Sequence, residues 1–228
     1  MFFECKNLPY LSLNPFPSPC SFSPDAISTL KRAARRAWAV PAADTLAAIL
    51  VLEKAKLIPD KDDDNNVASS WLEAIAGGPE GKRWRLMFTS GTDQVRKAVA
   101  GGKAGGVYIP ITAVQRWRLG EPRLIENGIY LGWAVGAFVF SGTWESKGKR
   151  LSFDFDSVRL RLGPWSKEFK IKSRKAEEEE KTGKKSLGPF FLFAYVDEDI
   201  CVARGRGGGV AMWARATGDW QVKAGIDA

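Results

Sequence analysis

Leu151-Ser152-Phe153-Asp154-Phe155-Asp156-Ser157-Val158-Arg159-Leu160-Arg161-Leu162 alternates apolar and polar residues along its length, but not in a single phase. Leu151, Phe153 and Phe155 share one parity, and Val158, Leu160 and Leu162 share the other. A period of two places alternate side chains on one face of a strand, so the change at Asp156-Ser157 predicts a bulge or tight bend. Upstream, Phe138, Phe140 and Trp144 keep one phase, with Gly142 in the missing slot. Earlier still, Trp84, Leu86 and Phe88 alternate with Arg83, Arg85 and Met87.

Further strands are expected at 106–113, 115–119, 123–126, 128–133, 168–172, 190–195, 200–204 and 209–215. Turn signals at Asn127-Gly128, Lys147-Gly148 and Gly207-Gly208 join them. No helical crossover separates them, which disfavours a parallel α/β fold. The expectation is an all-β antiparallel sheet closed into an up-and-down barrel, with one or two short N-terminal helices. The first helix falls over 42–57, where Ala, Leu and Ile recur at helical spacing, and a further helical turn over 69–76.

The 228-residue chain contains no His, which removes the Ser-His-Asp triad, the Cys-His pair and the HExxH zinc site at once. Two of its three cysteines, Cys5 and Cys20, lie near the N-terminus, and Cys201 lies in a strand-like run. No disulfide framework or CxxC site follows, and Cys201 reads as a buried apolar residue. The acidic run from Asp60 to Asp64 lacks the calcium-loop spacing. No metal, cofactor or catalytic residue is assigned, and Gly101-Gly102-Lys103 lacks the phosphate-loop context.

Residues 1–39 are rich in Ser and Pro, poor in acids and close on Lys31, Arg32, Arg35 and Arg36, the pattern of an organellar transit peptide. Their removal lowers the net charge from +8 to +5. A mildly basic body disfavours nucleic acid as partner, and the single Arg204-Gly205-Arg206-Gly207-Gly208-Gly209 element reads as a hairpin turn. The expected division is a leader over 1–39, a helical segment over 40–80, a barrel over 81–216 with a charged flexible insertion at 167–186, and a tail over 217–228.

Two segments carry a family resemblance. The run from Gly81 through Trp84, Leu86 and Phe88 to Thr89-Ser90 resembles the opening strand of the plastid-lipid-associated proteins, or fibrillins, with one extra residue between Gly and Trp. Tyr195-Val196-Asp197-Glu198-Asp199-Ile200, continuing to Arg204-Gly205, resembles their closing hairpin, and Gln115 with Ile125-Glu126-Asn127-Gly128 is similar to the region between. The chain is identified on these motifs as a divergent member. The resemblance implies a lipocalin-like barrel in the chloroplast, on the stromal side of plastoglobules or thylakoids, binding prenylquinones, carotenoids or fatty acyl lipids.

The expected ligand-binding set is Trp84, Leu86, Phe88, Phe138, Phe140, Trp144, Phe153, Phe155, Phe193 and Tyr195. Asp197 and Asp199 are expected to form a turn and pair with Arg204, with Gly205 closing the structural motif. Trp117, Trp133 and Trp220, beside Arg116, Arg118 and Lys223, are read as an interfacial edge for lipid headgroups. An alternative is a barrel filled by its own aromatics, acting as a scaffold or assembly factor for a protein partner in a thylakoid complex. Whether an apolar cavity survives packing separates the two.

Overall fold

The computed structural model describes residues 22–58, 67–132, 135–183, 186 and 188–226. Cys5, Cys20, the acidic run at Asp60 to Asp64 and Trp133 lie outside them. Eight strands close a ring in which every pairing is antiparallel. In chain order they are β1 (Lys82–Ser90), β3 (Thr112–Arg118), β4 (Leu124–Tyr130), β5 (Gly136–Lys147), β6 (Arg150–Leu162), β8 (Phe190–Val196), β9 (Ile200–Gly205) and β10 (Val210–Arg215). Closure comes from β1 against β10, with Trp84 opposite Arg215 and Ser90 opposite Val210. Two strands lie off the ring: β2 (Val107–Tyr108) beside β1, and β7 (Trp165–Lys170) beside β6.

Among the described residues six helices accompany the barrel: α1 (Phe22–Arg35), α2 (Ala42–Ala55), α3 (Val67–Ala76), α4 (Thr92–Val99), α5 (Arg174–Thr182) and α6 (Gly218–Ala224). Leu30 and Ala33 of α1, Leu46, Ile49 and Leu52 of α2 and Val95 of α4 form an outer core with Ile200, Val202, Val210 and Met212. Burying side chains of this size contributes about 1.5–3 kcal/mol each. Residues 22–35, which fall within the expected leader, form a helix packed on the barrel wall.

The bulge expected at Asp156 is present. Gly142 pairs with Phe155 and Ser141 with Ser157, leaving Asp156 unpaired. Gly142 sits against the distortion, and a Cβ there would stand 1.9 Å from the Asp154 carbonyl oxygen. Only glycine lets the two backbones approach this closely. By contrast, Asn127-Gly128 makes no turn. Both residues lie inside β4, which runs unbroken where two strands were expected, and they pair with Phe140 and Val139 of β5.

The insertion at 167–186 was expected to be flexible; its described residues include a strand and a helix. β7 pairs with β6 over its whole length, and α5 follows. The Ser173 side chain accepts from Ala176 N at 3.0 Å, and Gly183, in the left-handed region, ends the helix. The glutamates that made this tract look merely solvated serve as anchors. Glu178 accepts from Arg206 of the β9–β10 turn at 2.8 and 3.0 Å, tying the insertion to the barrel.

Candidate functional site

The inward face follows from strand parity. Trp84, Leu86, Trp117, Ile125, Trp144, Leu151, Phe153, Phe155, Phe191, Phe193, Cys201 and Trp213 belong to one interior cluster. Trp84 is 0 % exposed and Trp117 1 %. α3 stops this end of the barrel: Trp71 and Ile75 join the cluster, and Trp84 Nε1 donates to the Ile75 carbonyl at 2.6 Å. Trp144 Nε1 donates to the Leu124 carbonyl at 3.0 Å, so its polar atom is satisfied within the wall. Here the lumen is packed core.

Two residues of the expected ligand set lie on the other face, and a bulge accounts for each. Leu86 pairs with Trp213 while Phe88 pairs with Met212, so Met87 is an extra residue and the phase of β1 flips. Phe88 thus packs beneath the outer helices, beside Tyr108 at 5.3 Å between ring centroids. In β8 the same shift falls at Ala194: Phe193 pairs with Ala203, but Tyr195 pairs with the outward Val202. Period-two reading carries no warning of a single inserted residue.

From the plug the rings form a path. Phe193 lies 5.7 Å from Trp71, Trp117 6.2 Å from Phe193 and Phe153 6.1 Å from Trp117. Phe155 follows at 5.5 Å, Phe140 at 5.6 Å and Phe138 at 4.8 Å. Burial falls along the way: Phe153, Phe155 and Phe140 are half-buried and Phe138 is 39 % exposed. The path leaves the packed lumen at the end away from α3.

There β4, β5, β6 and β7 continue as an open apron. Residues paired directly across antiparallel strands share a face. Ile129, Phe138, Leu160 and Lys167 are one such row, and Phe140, Val158 and Phe169 belong to the next. Leu162 and Trp165 pair at the hairpin tip. Every member of this face is the continuation of the inward face of the barrel. Ile129, Leu160, Leu162 and Phe169 are exposed, and Trp165 is 80 % exposed. An exposed apolar face of this kind is a candidate interaction surface.

Lys167 stands on the same face, its Nζ 5.2 Å from the Phe169 ring centroid. The apron residues Leu160, Leu162, Trp165 and Phe169 were not assigned to the site from sequence. The signal was available, because a bulge at Asp156 keeps the even residues that follow on the face of Phe153 and Phe155. Of the three tryptophans read as an interfacial edge, Trp117 is core, and Trp220 is half-buried with the Arg85 guanidinium 5.0 Å from its ring centroid. Trp133, the third, lies outside the described residues, and Trp165, not assigned from sequence, is largely exposed.

No family model matches this chain, and no curated protein matches it. The site is read from its geometry.

The closing motif is structural. Asp197 Oδ1 accepts from the backbone N–H groups of Asp199 and Ile200 at 2.8 Å each, forming the expected turn. Its Oδ2 accepts from the Tyr195 hydroxyl at 2.9 Å and from Lys31 of α1 at 2.8 Å. Burial opposes ionisation of Asp197, but Lys31 and the two backbone donors outweigh it, and the carboxyl is held below its usual range. The expected pairing with Arg204 is corrected. Arg204 grips Glu53 of α2 through both carboxylate oxygens at 2.8 and 2.6 Å, and donates to the Gly208 carbonyl at 2.6 Å. Gly205 N donates to Gly209 O at 2.8 Å, so the glycine-rich element is a hairpin turn. Burial pushes the Cys201 thiol well up, which suits an inert core residue.

Proposed function

We propose that this protein is a non-catalytic lipid-binding and lipid-organising barrel, lipocalin-like and of the plastid-lipid-associated type, working at a plastoglobule or thylakoid surface. The observation that carries the reading is the apron, where the inward face of the barrel runs out into the open as Phe138, Leu160, Leu162, Trp165 and Phe169. In this reading the prenyl, carotenoid or acyl chain is held at the open end. The deep lumen is occupied by Trp84, Trp117 and Phe193.

Magnitudes favour a surface over a carrier cavity. A patch on the order of 300 Å² at about 25 cal/mol per Å² contributes roughly 7 kcal/mol gross. Association takes back at least about 4 kcal/mol of that, so one isolated chain binds weakly. A bilayer or monolayer adds headgroup attraction for Lys167 and an interfacial berth for Trp165. The resemblance of the opening and closing strands, and the Ser/Pro-rich N-terminal composition, support the plastid setting.

Flotation of the protein from residue 22 onward with phosphatidylglycerol-containing vesicles, with and without a prenylquinone or carotenoid, tests the reading. Binding that falls when Phe138→Asp is introduced supports it. Binding that is absent, or indifferent to that change, overturns it. The filled lumen favours a second reading, in which the same face docks a protein partner as a scaffold or assembly factor; a partner captured from thylakoid extract by the wild type and lost by Phe138→Asp, with no vesicle binding, points there.

A further inference from the structure

Between α1 and α2 the chain turns through a tryptophan in a conformation that suits glycine. Arg36 N donates to the Arg32 carbonyl and Ala39 N to the Arg36 carbonyl, at 3.1 Å each, and Trp38 has a φ of 64°. A bulky side chain in the left-handed region is strained. The indole is 69 % exposed and meets the Tyr108 ring edge-on at 6.1 Å. Tyr108 is itself fixed, since its hydroxyl donates to the Val40 carbonyl and accepts from the Thr45 hydroxyl, both at 2.7 Å. Backbone strain and a wet aromatic surface both disfavour the folded state, and strain held in this way clusters at functional sites.

The charges around Trp38 indicate what it meets. Arg32, Arg35 and Arg36 are exposed. Arg35 and Arg36 lie within three residues of Trp38, so chain geometry keeps their Cα atoms within about 11 Å of its own. Asp44, at the start of α2, is the carboxylate nearest in sequence. An amphipathic ring beside guanidinium groups fits the headgroup layer of an anionic membrane. The position of the elbow agrees with that. Lys82, which opens β1, donates to the Ala74 carbonyl of α3 at 3.0 Å, whereas Tyr108 pairs with Phe88 near the other end of the strand. The elbow therefore lies toward the end of the barrel from which the apron leaves. Exposed apolar residues mark the rim between them: Val107 precedes Tyr108, and Thr112 pairs with Tyr130, so Ile111 and Leu131 stand at the ends of adjacent strands.

We infer that the α1–α2 elbow is a second lipid contact, with Trp38 seated among the headgroups of an anionic leaflet and Arg35 and Arg36 on its phosphates. This rests on the lipid reading and deepens it. The apron supplies apolar contact, and the elbow supplies preference for anionic lipid and a second point that fixes orientation. It takes α1 as part of the working protein, in which Leu30 and Ala33 are fully buried.

Flotation of the full chain with phosphatidylcholine vesicles, with and without phosphatidylglycerol, tests this in three variants: Trp38→Gly, Arg35→Glu/Arg36→Glu and, for the apron, Trp165→Ser/Leu162→Ser. Glycine fits the left-handed backbone, so Trp38→Gly is expected to unfold at no lower denaturant than the wild type. Its binding to phosphatidylglycerol vesicles is expected to fall by about fivefold or more. The arginine variant is expected to lose about tenfold or more on the same vesicles, and nothing on phosphatidylcholine alone. Quenching of tryptophan fluorescence by lipids brominated near the headgroup reports the indole directly and should drop in Trp38→Gly. Equal binding by the wild type and the elbow variants, or binding that ignores phosphatidylglycerol, overturns the inference. Binding kept by the elbow variants and lost by the apron variant does the same while leaving the apron reading in place. The reverse pattern upholds the elbow and removes the apron. A protein partner retained through Trp38, with no vesicle binding, also overturns the lipid contact.

Discussion

Lys31 Nζ lies 2.8 Å from Asp197 Oδ2, joining a helix near the N-terminus to the turn between β8 and β9, and Asp199 Oδ2 stands at the same distance. The hydrogen bond to Asp197, then that to Asp199, raises the Lys31 pKa well above its ordinary value of 10.5. Asp197 lies below its ordinary 3.8. A depressed carboxyl stabilises above its unfolded pKa and loses that contribution as pH falls through the folded one. Lys31→Met is expected to cost about 1 kcal/mol at neutral pH and to flatten the acid limb of stability below about pH 4. Urea unfolding at pH 3 and pH 7 checks it: equal losses at both would show that the ion pair contributes nothing.

The same cluster sets an alkaline limit. Burial, then the hydrogen bond to Asp197, pushes Tyr195 up to about 12 from its ordinary 10.0. A raised folded pKa gives stability that is present below the unfolded value and lost as pH rises through the folded one. Stability is therefore expected to decline between about pH 10 and 12, and Tyr195→Phe to remove that part of the decline. Tyrosinate absorbance resolves it directly, as one late-titrating group that the variant lacks.

Cutting the chain at 39 removes Leu30, Ala33 and Lys31 together, taking Leu30 and Ala33 out of the core cluster that also holds Val202 and Met212. A protein beginning at residue 40 is expected to unfold at clearly lower denaturant than one beginning at 22, by at least about 3 kcal/mol for two buried side chains and an ion pair. Matched chemical unfolding curves compare them. Coincident midpoints would mean that α1 is dispensable to the fold.

How far the sequence was legible depends on the kind of signal. Alternation located most strands, and the phase change at Asp156 located its bulge, because two good half-patterns flank it. The bulges at Met87 and Ala194 left no such trace: Phe88 and Tyr195 are aromatic on either face, and their misplacement followed. Asn127-Gly128 carried a turn signal that pairing with β3 and β5 overrode. The partners of Arg204 and Asp197 lay 151 and 166 residues away in helices. No local pattern reports a contact between an acid on one face of a helix and a base on a distant strand. The apron was half legible, since its parity could be followed, but its exposure depends on where the ring closes.

Gly142 faces the Asp154 carbonyl so closely that any side chain must move backbone. Gly142→Val is expected to destabilise by about 2 kcal/mol or more and to disturb the register beyond the bulge. Hydrogen exchange at Phe140 and Val158 reports the second effect. A variant with native exchange there would show that β5 can yield without cost.

Arg204 and Glu53 pin α2 across β9 with both forks engaged. Arg204→Lys keeps the charge and loses the bidentate geometry, so a loss of about 1–2 kcal/mol is expected. A double-mutant cycle with Glu53→Gln isolates the pair. A coupling indistinguishable from zero would leave α2 held by its apolar face alone.

The apron and the lumen make opposite predictions although their rings form one path. Trp117 is sealed among Trp144, Phe153 and Phe193, so Trp117→Ala is expected to cost about 3–5 kcal/mol. Trp165 stands at the tip of the β6–β7 hairpin with water around it, so Trp165→Ser is expected to change stability by less than about 0.5 kcal/mol. Vesicle binding should respond in the reverse order. Trp165→Ser with Leu162→Ser is expected to weaken it by about tenfold or more, corresponding to some 1.4 kcal/mol of lost apolar contact, while any effect of Trp117→Ala should track the fraction unfolded. Edge pairing by β7 predicts otherwise, because a new strand binds through backbone groups and tolerates loss of Trp165; yet Lys167 and Lys170 lie along that edge and blunt it. Vesicle binding that survives loss of both tip residues would place the lipid contact elsewhere on the molecule.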